Sequence, residues 1–180
     1  MKTYIALFRG INVGGHNILL MKDLVALLES FGSSSVKTYI QSGNAVFRNE
    51  EEDPTKLSKG ISTIINKNYG FEPKVLVLNL NEFEDAIVLN PYPEAEVEPK
   101  TLHIYFLDSM PKNPDLDLLE SIKRNNERFE LRNKFFYLHS PDGIGRSKLA
   151  AQVEKSLDVS VTSRNWRSVA KILAMAKQCN

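Results

Sequence analysis

The sequence predicts an α+β protein made of two successive halves of βαββαβ order with an extra helix at the C-terminus. Three observations carry that expectation. Amphipathic helical stripes alternate with short β-rich runs, the same six-element order occurs twice, and a proline-rich stretch ending at Pro99 separates the two occurrences. No letter-level repeat accompanies the recurrence, so it rests on element order alone.

The first half, residues 1–79, opens with a short apolar run at 4–9. Between 21 and 31, Leu24, Leu27, Leu28 and Phe31 recur at i, i+3, i+4 and i+7, the stripe of an amphipathic helix, with Gly32 as its stop. Residues 36–41 and 44–48 are β-rich and flank Ser42-Gly43, a two-residue loop suited to a tight hairpin. The next helix has Asp53 as N-cap, Pro54 as first residue, Leu57, Ile61, Ile64 and Ile65 on one face, and Gly70 beyond its end. Residues 74–78 close the unit. This order is the ferredoxin-like plait, whose two helices cover one sheet face. In a plait the first and third strands are central neighbours, so the right register would bring Arg9, Asn12, Gln41 and Asn44 to one edge.

Residues 80–100 form a connector: an acidic helix at 82–89, then Asn90-Pro91-Tyr92-Pro93 and further prolines that break regular structure. The second half, residues 101–180, predicts a strand at 101–107, a helix at 115–124, and strands at 129–131 and 135–139 about Arg132-Asn133-Lys134. A helix at 146–157, a strand at 159–161 and a last helix at 164–177, capped by Thr162 or Ser163, complete it. In that last helix Trp166, Val169, Ala170, Leu173 and Ala176 make a core stripe.

Composition sets the limits. At 180 residues with 42% hydrophobic and 25% charged, the chain is an ordinary globular one. Its lone cysteine, Cys179, has no intrachain partner and no signal-like apolar stretch follows Met1-Lys2, which together point to the cytoplasm. No run approaches the roughly 20 apolar residues a bilayer span needs, so no membrane partner is expected. A net charge of +1 argues against a strongly basic nucleic-acid binder. The charge is uneven, however: between Asn81 and Glu98 there are six acids and no Lys or Arg, and from Gly143 onward seven bases face two acids.

The basic residues of that last stretch fall where two helices are expected to begin: Arg146 and Lys148, then Arg164 and Arg167 around Asn165. A helix N-terminus carries partial positive charge, so a cation there is disfavoured by roughly 0.3 to 1 kcal/mol unless an anion answers it. The same ends point unpaired N–H groups outward, which makes them candidate phosphate sites. A second polar cluster is Arg9-Gly10-Ile11-Asn12-Val13-Gly14-Gly15-His16-Asn17, whose glycines permit close backbone approach. Its spacing half-matches a Walker A loop, but His16 replaces the lysine and Asn17 the hydroxyl residue, so phosphate-gripping and magnesium roles lack their groups. No His-Cys-Asp-Glu set has metal-ligand spacing, and His139, Ser140 and Asp142 lack a nucleophile elbow, so neither metal, cofactor nor hydrolytic triad is expected.

Four motifs in order, namely the 9–17 loop, Tyr39-Ile40-Gln41-Ser42-Gly43-Asn44, Arg146-Ser147-Lys148-Leu149 and Thr162-Ser163-Arg164-Asn165-Trp166, resemble the bacterial family called domain of unknown function 1697. The resemblance runs nearly the whole chain. It implies two plait-like α/β halves and no assigned reaction. Ile18-Leu19-Leu20 stand where that family carries a basic residue and often proline, which could shift the start of the first helix.

The resulting expectation is a protein that binds an anionic small molecule, such as a nucleotide or phosphorylated metabolite, where the two halves meet; whether it is an enzyme is left open. The expected ligand-binding residues are Arg9, Asn12, Gly14, Gly15, His16, Asn17, Gln41, Ser42, Asn44, Arg146, Lys148, Arg164, Asn165 and Arg167. Two alternatives compete. Tyr4, Phe8 and Phe47 would stack single-stranded nucleic acid if their sheet face is open, although Asn44-Ala45-Val46-Phe47-Arg48 lacks the RNP1 pattern. Otherwise the polar motifs only brace the fold, and each such group would then be paired within the protein.

Overall fold

The computed structural model describes residues 1–179 as an α+β chain with two four-stranded antiparallel sheets and, among the described residues, six α-helices. The chain divides into two compact units, one of residues 1–85 together with the described residues from Lys171 onward, the other of residues 86–170. Among the described residues no helix is long and apolar enough to cross a membrane.

In the first unit β1 (Lys2–Arg9), α1 (Met21–Ser30), β2 (Ser34–Thr38), β3 (Asn44–Asn49), α2 (Pro54–Tyr69) and β4 (Lys74–Asn79) follow in that order, and the sheet order is β2-β3-β1-β4. Along β1 the side chains alternate. Tyr4, Ala6 and Phe8 share a cluster with Ala45, Phe47 and Val77 of the neighbouring strands and with Leu24, Leu28, Leu57, Ile61 and Ile65 of α1 and α2. Burial of Leu57, Ile61 and Ile65 alone stabilises α2 by at most about 5 to 9 kcal/mol. On the other face Ile5, Leu7, Val46 and Leu78 are buried as well.

The punctuation of α2 is as expected: the Asp53 side chain accepts from Thr55 N–H at 2.8 Å, Pro54 opens the helix, and Gly70 closes it at φ 74°. Gly60 sits mid-helix because the Phe31 ring lies against it; an added Cβ would fall 2.2 Å from that ring. Two α2 hydroxyls, Ser58 and Ser62, donate to the carbonyls of Val75 in β4 and of Pro73 just before it, the latter at 2.7 Å, so the helix answers carbonyls at the sheet's edge. The first helix does begin at Met21, with Leu20 as an extended N-cap that contributes no side-chain bond.

Two local expectations are corrected here. Strand β2 ends at Thr38 rather than Gln41, and residues 39–43, not a two-residue loop, make the turn. Ile40 takes φ 53°, out of the strand region, while the Asn44 side chain and backbone clamp Tyr39 from across the turn. The acidic helix, α3 (Leu80–Val88), starts directly after β4. Asn79 and Glu82 cap it reciprocally, each side chain accepting from the other's N–H at 2.9 Å.

The second unit holds β5 (Leu102–Leu107), α4 (Leu116–Ile122), β6 (Arg128–Arg132), β7 (Phe135–His139), α5 (Lys148–Leu157) and β8 (Val161–Asn165), with sheet order β6-β7-β5-β8. Tyr105, Leu107, Phe136 and Leu138 pack with Leu119, Leu149, Val153 and Leu157 from α4 and α5, and Ile104, Phe106, Phe135 and Tyr137 are buried on the alternate positions. The final helix, α6 (Trp166–Lys177), buries Trp166, Val169, Ile172 and Ala176. Ile172 thus takes the place expected of Leu173, and Ala170 is exposed.

Candidate functional site

Strand β8 is longer and later than the sequence suggests, and this moves the basic residues. Arg164 lies within β8, opposite Ile104 of β5, and Asn165 ends it. The α6 cap is Asn165, whose side chain accepts from Ser168 N–H at 3.0 Å, in place of Thr162 or Ser163. Likewise Arg146 ends a short 3-10 turn (Ile144–Arg146), and α5 starts one residue past its cap, Ser147, which accepts from Ala150 N–H at 3.0 Å. Of the four cations expected at helix starts, only Lys148 and Arg167 stand in first turns. A cap needs a short acceptor side chain in extended backbone, which Ser147 and Asn165 supply and arginine does not.

The strand register nevertheless gathers these groups. Leu102 pairs with His139 and His103 with Asn165, so the start of β5 and the ends of β7 and β8 share one end of the sheet. Both α5 and α6 set out from that end. The connection from β7 is pulled back by Glu127, a buried carboxylate that sequence reasoning did not single out. It accepts from Ser140 Oγ at 2.9 Å, from Arg124 N–H at 2.9 Å, and from the Ser147 side chain. Burial alone would raise the Glu127 pKa; these hydrogen bonds and the Arg124 charge outweigh it and hold the carboxyl below its ordinary value. Ser147 is thereby tied close to Ser140, and the start of α5 close to the end of β7.

Arg146, Lys148 and Arg167 are exposed at this end, and no carboxylate among the described residues forms an ion pair with any of them. Three other cations of the same unit are paired, Lys123 with Glu120, Arg128 with Glu94 and Arg132 with Glu130, each at 2.6 Å, while exposed Lys100, Lys112 and Lys134 form no ion pair among the described residues. Loss of solvent pushes the Arg164 pKa down to about 10, which leaves it charged at neutral pH, and it donates to Ser163 O at 2.8 Å. Arg167 N–H donates to Pro99 O at 3.3 Å.

In the first unit Leu7 pairs with Asn44, so Arg9, the 10–17 loop and the 39–44 turn do share one sheet end. Their polar groups are largely spent within the loops. Asn12 donates both amide hydrogens, to Leu19 O at 2.9 Å and Gln41 O at 2.8 Å, and accepts from Leu19 N–H at 2.8 Å. Asn17 donates to Gly10 O at 2.8 Å, and Asn44 to Tyr39 O at 2.9 Å and Ser42 Oγ at 3.4 Å. Asn12 and Asn17 sit at φ 53° and 52°, a region asparagine tolerates. Gly14 and Gly15 form the tip of a tight turn closed by His16 N–H to Val13 O at 3.0 Å, and Gly14, Gly15, His16, Gln41 and Ser42 are exposed. Half-buried Arg9 stands opposite Lys74.

The base-stacking surface is overturned. Tyr4, Phe8 and Phe47 are 0%, 1% and 0% exposed against α1 and α2, and the opposite face of the same sheet is buried too. Among the described residues no three His, Cys, Asp or Glu side chains gather as a metal site would require.

A family model described as "Protein of unknown function (DUF1697)" matches residues 1–137, which takes in the 9–17 and 39–44 motifs and stops short of the two basic ones. No curated protein matches the sequence. Over its length the chain is similar to the structure of conserved bacterial protein SP0830 from Streptococcus pneumoniae, with a TM-score of 0.75 and 23% identity, covering 97% of this chain and 98% of that one. That likeness concerns the fold.

Proposed function

Because the chain belongs to the DUF1697 family of proteins of unknown function, its role has to come from its own residues, and we propose that it binds an anionic ligand at the end of the second sheet where α5 and α6 begin. Arg146, Lys148 and Arg167 supply the charge, and the positive ends of the α5 and α6 dipoles add to it, although the α6 first-turn N–H groups of Arg167 and Ser168 are already bonded within the protein. A nucleotide or a phosphorylated metabolite has the matching chemistry. The carrying observation is convergence: three exposed cations without an acidic partner among the described residues lie at the one sheet end from which two helices set out. In this reading each half is a ferredoxin-like plait, and the end of its sheet serves as the platform.

The first-unit motifs have a different role in this proposal. With Asn12, Asn17 and Asn44 bonded to backbone carbonyls, that cluster braces the 10–19 loop against the 39–44 turn.

Thermal-shift titrations with inorganic phosphate, pyrophosphate and nucleoside triphosphates test the binding site. The wild type is expected to gain stability with ligand, less so as salt rises, and the K148A/R167A double variant to lose most of that gain. Equal shifts in both proteins, or no shift with any of these anions, would refute it.

A further inference from the structure

We propose that His139 is the sensor of a protonation-controlled latch that fastens the 90–98 segment to the β6–β7 pair. Arg128 on β6 and His139 on β7 are directly paired across the strands. The Arg128 guanidinium does three things at once. It donates to Glu94 Oε1 at 2.6 Å, it approaches His139 Nδ1 at 3.0 Å, and its central carbon stands 4.6 Å from the centre of the Tyr92 ring. Tyr92 and His139 are themselves ring neighbours at 6.3 Å. Glu94 and Tyr92 belong to the segment and the other two to the sheet, so Arg128 is the bolt between them.

The chemistry of arginine settles the state of the histidine. A guanidinium has donors only, so the contact to Nδ1 is a hydrogen bond only when that nitrogen carries a lone pair, which makes His139 neutral with its proton on Nε2. Adding a proton to Nδ1 sets N–H against N–H and imidazolium against guanidinium. Either Arg128 or the ring must then leave, and the hold on Glu94 and the stack on Tyr92 go with the arginine.

The groups facing His139 agree with this direction. Partial burial and the Arg128 charge lower its pKa, while Glu94 and Glu98 oppose them with smaller effects. On the β5 side its partner is Leu102, which does not ionise. Tyr92, with its pKa pushed up to about 12 mainly by burial, stays neutral throughout. Other bonds at the segment do not involve His139, among them Arg132 to Leu89 O at 3.0 Å, Asn90 to Glu96 at 2.9 Å, Tyr92 N–H to the Asn90 side chain at 3.0 Å, Ala95 N–H to Tyr92 O at 3.0 Å and Thr101 to Glu98 O at 2.8 Å. Protonation therefore loosens residues 92–98 and leaves the two sheets intact.

The test uses the full-length protein. NMR titration of the His139 ring should give a pKa below the ordinary 6.5, and amide-exchange protection factors for 92–98 should fall at least about fivefold from pH 7.5 to pH 5 while those of β5 and β7 hold. H139Q, which keeps an acceptor and cannot be protonated in this range, should abolish the fall. A His139 pKa at or above 6.5, equal protection at both pH values, or an unchanged fall in H139Q would each overturn the latch.

Discussion

Replacing Glu127 by alanine is expected to be among the most damaging single changes in the second unit, because a buried carboxylate there organises a loop rather than filling space. Three groups donate to it: Arg124 N–H and Ser140 Oγ, each at 2.9 Å, and the Ser147 hydroxyl. Their loss is not uniform. Ser140 keeps a second acceptor in Gly143 O at 3.1 Å, so only Arg124 N–H and the Ser147 hydroxyl are left without this acceptor. At about 1 to 3 kcal/mol for each stranded donor, less the desolvation no longer spent on the carboxylate, E127A should cost about 3 to 4 kcal/mol. Urea denaturation reads this directly. With a slope of about 2 kcal/mol per molar, the midpoint drops by about 1.5 to 2 M. E127Q retains one carbonyl oxygen but turns an amide donor toward other donors, and should fall about halfway between. A midpoint for E127A within about 0.3 M of wild type would refute the argument. It would mean that the loop ahead of α5 is held by something other than this carboxylate.

Further outcomes follow from the same geometry. G43A should destabilise by about 2 to 4 kcal/mol by thermal melting, since Gly43 sits at φ 79° and a Cβ would lie 2.6 Å from Phe8 Cβ and Ile11 Cδ1; a loss under 1 kcal/mol would contradict it. N12D, which sets a carboxylate against the carbonyls of Leu19 and Gln41, should cost about 2 to 3 kcal/mol, and a neutral result would count against the brace. Without ligand, K148A and R167A should each raise stability by about 0.3 to 1 kcal/mol as a cation leaves a helix N-terminus. On pH, burial lowers the His103 pKa below 6.5 despite its contact with Lys100 O, and His139 shifts the same way, so the unfolded chain takes up protons first. Stability from both should be complete above about pH 6.5 and fall as the pH drops through their folded values. The Glu127 contribution persists until the pH passes below its ordinary 4.5 and is lost through its lower folded value. Urea midpoints at pH 7.5, 6 and 5 trace the histidine step and points at pH 4 and 3 the Glu127 one, and a flat profile from 7.5 to 5 would remove the histidine part.

Local chemistry was legible wherever one residue type has one physical use. Asp53-Pro54 and Gly70 mark the ends of α2 because a cap, a fixed φ and a left-handed closing residue are decided by the chain itself. Helical stripes and β-rich runs likewise marked the element order, and four short motifs carried the family resemblance. The ends of β2 and β8 were not legible: Ile40, a β-branched residue, leaves the strand because Asn44 clamps Tyr39, and Arg164 stays in a strand because β5 lies beside it to be paired. The second cause is not local, and the first, though it spans only five residues, depends on β3 lying across the turn from Tyr39. The same division runs through the candidate site. Sequence alone showed an excess of bases late in the chain, but which of them stay unpaired and which end of the sheet they share depends on strand register. Glu127 is one acid among the 22 acidic residues of the chain until the fold buries it against Ser140 and Ser147. Propensity and capping act over a few residues and can be read from letters, whereas register, burial and charge pairing are sums over distant neighbours that exist only once the chain has folded.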